Sequence, residues 1–204
     1  MPTVANVRAR ARARVRELRS EPPRALLALA TATYESGDPF FAYELLRAAP
    51  RALAVVTRKD VARLGAGIDS WGHVDCFASF VAGVAWRLGR IDDATVMGWT
   101  RSTDRWWRRA ALVSTVPLNN RARGATAANG EATRTLAICA ALVADRDDMV
   151  VKALSWALRE LGKRDPKAVR GFVAAHGEAL AARVRREVTA KLTTGLKNPT
   201  PRGT

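Results

Sequence analysis

A tryptophan and an aspartate four residues apart, Trp71 and Asp75, are the pair in this sequence best suited to chemistry. Asp69 and Ser70 precede them, and either can cap a helix. In a helix that starts there, both side chains share one face, one turn apart. An aromatic face beside a carboxylate suits a cation, or a reaction that develops positive charge. The same residues also fit a plainer role: a core tryptophan with a capping or paired carboxylate.

Two later stretches bear on that choice. In Trp106-Trp107-Arg108-Arg109, Trp106 and Arg109 lie three apart and share a helix face. Arg109 borders the apolar run Ala110-Ala111-Leu112-Val113, where a guanidinium could grip a phosphate or the carboxylate of Asp75 in a two-pronged way. Lys152, Trp156, Arg159 and Glu160 occupy adjoining faces of a third helical stretch. Their plainer role is an amphipathic helix with contacts one turn apart.

Histidine and cysteine offer little. His73 has no visible catalytic partner and reads as structural or solvent-facing. Cys76 lies about 100° around the helix from Asp75 and reads as core. With Cys139 it makes two thiols, both read as buried and reduced. Neither Cys-x-x-Cys nor His-Glu-x-x-His occurs, so no metal and no cofactor are expected.

The elements that must position these residues are helical. The 204-residue chain is 48% hydrophobic, rich in Ala, Val and Leu, and has no sustained two-residue alternation. Residues 4–19 alternate Arg with Ala and Val, which makes a basic helix or arm that could follow phosphates, meet an acidic surface or stay solvated. Pro22-Pro23 opens a helix to Glu35, and Asp38-Pro39 opens the next, which Pro50 breaks. Short helices fill 51–66. The Trp71 helix runs to about Leu88, Asp92-Asp93 cap a short helix through Trp99, and Thr103-Asp104 cap one from Arg105 to about Val116, which Pro117 stops. Residues 117–130 read as a loop. Helices over Glu131–Ala144, Met149–Leu161, Pro166–Gly177 and Glu178–Thr194 complete the set.

The larger helices start near Trp71, Arg105 and Met149, roughly 34 and 44 residues apart, a spacing that suits paired-helix repeats. The expected fold is therefore an all-α superhelix, a HEAT-like or armadillo-like solenoid with a concave basic groove. Three regions are expected: a basic arm at 1–20, the helical repeats at 21–195, and a disordered tail at 196–204.

Charge points to the partner. Thirty-four Lys and Arg face 19 Asp and Glu, giving a formal net charge of +15. The isoelectric point near 11.3 fits a nucleic-acid partner, although an acidic membrane surface or acidic protein would also attract such a chain. No apolar run is long enough to cross a membrane and no secretory stretch opens the chain, so a cytoplasmic location is expected; no feature calls for an oligomer, so a monomer is expected.

Taken in order, the three stretches resemble the HEAT-like-repeat DNA alkylation repair proteins, the AlkD-type alkylpurine DNA glycosylases. The resemblance rests on Ser70-Trp71-x-x-Val74-Asp75, Trp106-x-x-Arg109-x-Ala111, and Lys152-Ala153-x-x-Trp156-x-Leu158-Arg159-Glu160 with the Asp165-Pro166 turn, and covers about residues 38–192. It implies a curved array of helix pairs that holds double-stranded DNA. It also implies excision of cationic N3- or N7-alkylated purines without flipping the lesion into a pocket. By motif position, Asp75 would be the catalytic carboxylate, Trp71 and Trp156 the aromatic plates beside the damaged nucleotide, and Arg109 a backbone clamp. Lys152, Arg159 and Arg108 would join it on the DNA. The Arg/Ala-rich N-terminus and the 117–130 loop depart from the family pattern. No aromatic from the first helices has an assignable match, so Tyr34 is not nominated. The alternative is a DNA-binding helical protein without base excision, which reads bent, branched or damaged duplex by charge and shape.

Overall fold

The structure is a computed structural model that describes residues 3–120 and 131–198. All regular elements among these residues are helical. The chain divides between Asp92 and Asp93 into two compact units.

In the first unit, α1 (Val4–Glu17) is capped by Thr3, whose hydroxyl accepts from the Asn6 amide at 3.2 Å. It buries Val7 and Ala11 and packs on α3 (Pro39–Ala48). The central pair is α2 (Pro23–Glu35) and α3. α3 starts as its sequence dictates: the Asp38 carboxylate accepts from Phe41 N–H, and Pro39 follows, where no amide is needed. Pro50 does not simply break the chain; it opens a further short helix, α4 (Pro50–Leu53), because its missing N–H falls in a first turn. α5 (Arg58–Gly65) begins with a reciprocal capping box between Thr57 and Asp60.

The Trp71 helix is not uniform. α6 (Trp71–Phe77) passes into a π-helical turn (Ala78–Ala82) and then α7 (Gly83–Arg87). Gly83 N–H donates to the Ala78 carbonyl, five residues back, so one extra residue is accommodated. Tyr43, Leu46, Phe77, Val81 and Trp86 form the buried centre of this unit.

The second unit is built around α12 (Asp148–Gly162). α9 (Arg105–Val113) and α14 (Ala182–Thr194) pack against it most extensively, with α10 (Val116–Asn119), α11 (Ala132–Ala141) and α13 (Pro166–His176) also in contact. α8 (Asp93–Trp99) packs on α9 and α11. α12 buries Val150, Leu154, Leu158 and Leu161; truncating any such leucine to alanine costs about 2–5 kcal/mol. Pro117 lies inside α10, again in a first turn, rather than ending a helix. The last helix starts at Ala182, not Glu178. Buried Asn119 donates to Thr135 Oγ1 at 2.8 Å and accepts from Glu131 N–H at 2.9 Å, which fixes the start of α11. Most of the expected 117–130 loop, and the tail from 199 on, lie outside the described residues. Among the described residues no helix is long and apolar enough to cross a membrane.

Candidate active site and nucleic-acid interface

In the first unit, the Ser70 hydroxyl accepts from His73 N–H at 3.4 Å and so sets the first turn of α6. Trp71, the first residue of that turn, is 61% exposed. Asp75, one turn on, is half-buried, while Val74 and Phe77 enter the core. The plainer role for Trp71, a core side chain, is excluded by this exposure. Placing an indole in water costs hydrophobic free energy that a partner could recover. His73 is half-buried, with Nδ1 3.9 Å from Asp69 Oδ1. Cys76 is half-buried rather than core; Cys139 is buried.

Two tyrosines hold the approach to this turn. The Tyr43 hydroxyl donates to the Leu64 carbonyl at 2.7 Å, and that of Tyr34 donates to the Ala66 carbonyl. Both acceptors lie just before Gly67, whose φ of +76° gives the chain its left-handed turn toward Ser70. The Tyr34 and Tyr43 rings meet tilted, with centres 5.8 Å apart, as do those of Tyr43 and Phe77 at 6.0 Å. Burial pushes both phenols above their ordinary range, so they stay protonated and keep donating. The sequence singled out neither as a positioning residue, because the carbonyls they hold are 21 and 32 residues away.

The π turn begins three residues after Asp75, at Ala78. Such turns recur at functional sites because they re-aim side chains without ending the helix. Here Phe80 is left half-exposed, with the Arg47 guanidinium 4.7 Å from its ring centre. Arg47 is itself held by buried Glu44 at 3.1 Å.

In the second unit, Lys152, Trp156 and Arg159 line one cleft of about 490 Å³, together with Arg183, Arg186, Glu187, Lys197 and Asn198. Five cations thus surround a single carboxylate and a half-buried indole. The carboxylate, Glu187, is 5% exposed. It accepts from the Ser155 hydroxyl at 2.6 Å and lies 3.9 Å from Arg159 Nε and 3.5 Å from Lys197 Nζ. Arg159 Nε also donates to Ser155 Oγ at 3.1 Å. Burial pulls the Arg159 guanidinium below its ordinary value and the two glutamates, Glu187 and Glu160, push it back up. Lys152 and Arg183 both reach Asp148, at 2.6 and 2.9 Å. Hydrogen bonding by Lys152 lowers the Asp148 carboxyl below its ordinary range. Arg186 is exposed, with no carboxylate partner among the described residues. Arg183, Arg186 and Glu187 went unnoticed in the sequence, although their clustering on one helical stretch was the available signal.

Arg108 and Arg109, on α9, have structural work. Arg108 Nε donates to Asp145 at 2.8 Å, and its Nη1 to the carbonyls of Ser102 and Thr103 at 3.0 and 2.9 Å. Arg109 is 6% exposed and donates to the Met149 carbonyl in the first turn of α12. Trp106, half-buried, carries the Arg105 guanidinium 5.0 Å from its ring centre. Among the described residues no group of three or more His, Cys, Asp and Glu could hold a metal ion.

The sequence pattern of the DNA alkylation repair enzyme family matches residues 3–192, nearly the whole chain. The chain belongs to this family. It thereby takes a role in DNA alkylation repair, with DNA as its partner. The match spans the Trp71–Asp75 turn, the cleft residues from Lys152 to Glu187 and the Arg-rich α1. No curated protein sequence matches the chain.

Proposed function

We propose that the protein is a monofunctional DNA glycosylase that hydrolyses the N-glycosidic bond of cationic N3- or N7-alkylated purines in double-stranded DNA. One observation carries this reading: the exposed Trp71 indole, one turn before the half-buried Asp75 carboxylate. A purine alkylated at N3 or N7 carries a positive charge and is already a good leaving group. The bond between the base and C1′ breaks with its electron pair moving to the purine, which becomes neutral. Cationic character develops on the deoxyribose, and water supplies oxygen to C1′ and loses a proton.

Asp75 is the carboxylate that stabilises this cation and orients the water. Trp71 offers an aromatic face to the cationic lesion, worth about 0.5–2 kcal/mol, and Trp156, in the second unit's cleft, offers an aromatic plate to the DNA there. Lys152, Arg159 and their neighbours bind phosphates. Arg108 and Arg109 enter this reading as the residues that hold α9 in place beneath the interface. The reading includes a HEAT-like superhelix with a concave basic groove, acting as a monomer.

The test is release of free base from duplex DNA carrying 7-methylguanine, by wild type and Asp75→Asn side by side. Wild type should release the base. Asp75→Asn should lose about 10²–10³-fold in rate, the scale of one electrostatic stabiliser, while keeping its affinity for DNA. Equal release by both proteins would remove Asp75 from the chemistry. The cation-lined cleft also favours a second reading, a DNA-binding protein without base excision. Salt-sensitive duplex binding with no release from either protein would support it.

A further inference from the structure

We infer that α1 is a second, sequence-independent contact for the phosphate backbone, made by the stripe Arg12, Arg16 and Arg19. This rests on the reading that DNA is the partner, and it extends the DNA-binding surface beyond the two sites described above.

The first argument is geometric. Arg12 and Arg16 stand at i and i+4 and share one face of α1, and Arg19 follows three residues on, in the turn that ends the helix. All three are exposed, and none has a carboxylate partner among the described residues. The other arginines of the helix are committed. Arg8 pairs with buried Glu44 at 2.9 Å, Arg10 lies 4.5 Å over the Phe41 ring, and Arg14 pairs with Glu17 at 2.9 Å. Ala5 and Ala9 continue the stripe toward the N-terminus, and such small side chains let a backbone approach closely.

The second argument is that the helix is held. A solvated arm would have no reason to be pinned to the body of the unit. α1 is pinned at its middle by Val7 and Ala11, at its side by Arg8 and Arg10, and at its far end by Arg51. The Arg51 guanidinium donates to the carbonyls of Leu18 and Glu21 at 2.6 and 2.7 Å. The three free guanidinium groups are therefore presented in fixed register, with backbone ordering completed before any ligand arrives.

The third argument is energetic. The helix macrodipole favours cations in the last turn, which accounts for Arg14 and Arg16. It does not account for Arg12, which lies further back. Like charges one turn apart destabilise a helix by about 0.2–0.5 kcal/mol per pair. A polyanion removes that repulsion and releases its own counterions on binding.

The experiment compares wild type, the triple variant Arg12→Gln/Arg16→Gln/Arg19→Gln, and the same triple change to Lys. Affinity for undamaged duplex is measured over a series of salt concentrations, with circular dichroism melts as the check on folding. Each phosphate contact contributes about 0.9 to the slope of log affinity against log salt, so the Gln variant should lose about 2.7 of it. Duplex carrying 7-methylguanine should show the same loss, and the Lys variant should regain the slope. If wild type binds steeply and the folded Gln variant keeps the full slope, this inference is overturned while the DNA reading stands. If wild type shows no salt-dependent duplex binding, both fall. Vesicles of phosphatidylserine and phosphatidylcholine form the last arm. Loss of vesicle binding in the Gln variant, with an unchanged duplex slope, would assign the stripe to a lipid surface and overturn the proposal.

Discussion

Ser155 and Glu187, 32 residues apart in sequence, are joined by a 2.6 Å hydrogen bond in the buried floor of the second unit's cleft. The hydroxyl both donates to the carboxylate and accepts from Arg159 Nε, so a three-membered relay runs from the rim of the cleft into its floor. A hydroxyl bonded to a buried carboxylate contributes about 1.5–3 kcal/mol. The arrangement resolves a conflict. A nearly buried carboxylate in a cation-lined cleft could repel a phosphate, but here its charge is taken up by the protein's own donors.

This gives a first prediction. Ser155→Ala and Glu187→Ala should each destabilise the protein by about 1–3 kcal/mol, and the double variant by clearly less than the sum, because both remove the same bond. Urea unfolding of the four proteins measures it. Additive losses would show that the relay is not a unit.

A second prediction concerns Arg109. The sequence suggested a clamp for DNA; the structure buries the side chain and spends it on the Met149 carbonyl. Arg109→Ala should therefore lose about 2–4 kcal/mol of stability, from the lost packing and the lost charge-assisted bond. A direct phosphate contact would instead lower the salt dependence of duplex binding and leave the urea midpoint where it was. The two measurements on one variant separate the roles.

What the sequence made legible was local. Asp38, Ser70, Asp104, Asp147 and Asp165 all cap helices through their side chains, because an Asp or Ser before a helical run meets an amide two or three residues on. Trp71 and Asp75 share a turn for the same reason. What stayed hidden depends on distant partners. The engagement of Arg108 needs Asp145, that of Arg109 needs Met149, and the floor of the cleft needs Glu187. The π turn after Phe77 has no compositional mark, since Ala-Ser-Phe-Val-Ala would serve equally well in an ordinary helix. Pro117 misled because a proline just past one helix can equally sit in the first turn of another.

A third prediction follows from the capping box of α5. Burial alone would raise the Asp60 carboxyl. The Thr57 hydroxyl and amide, both 2.7 Å away, and Arg24 at 3.3 Å outweigh it and hold the group below its ordinary 3.8. A depressed folded-state value means stability that is present above the ordinary value and lost as pH falls through the folded one. Asp60→Asn should cost about 1 kcal/mol at pH 7. The gap between the two proteins should close as the solution is acidified below about pH 4. Urea midpoints from pH 7 to pH 2.5 would show it, and a gap independent of pH would mean that the charge contributes nothing.

The last prediction separates the two members of the Trp71–Asp75 turn. Trp71 is 61% exposed, so Trp71→Ala should change stability by no more than about 0.5 kcal/mol. Its aromatic face is worth about 0.5–2 kcal/mol to a cation, so single-turnover release of 7-methylguanine should slow by about 2–30-fold. Trp71→Phe, which keeps a weaker aromatic face, should recover part of that loss. The drop for Asp75→Asn should exceed it by an order of magnitude, because a full charge in a partly shielded site acts more strongly than a ring quadrupole. A Trp71→Ala protein that unfolds early would make the indole a structural side chain. One that releases base at the wild-type rate would leave Asp75 to act without an aromatic partner on its own helix.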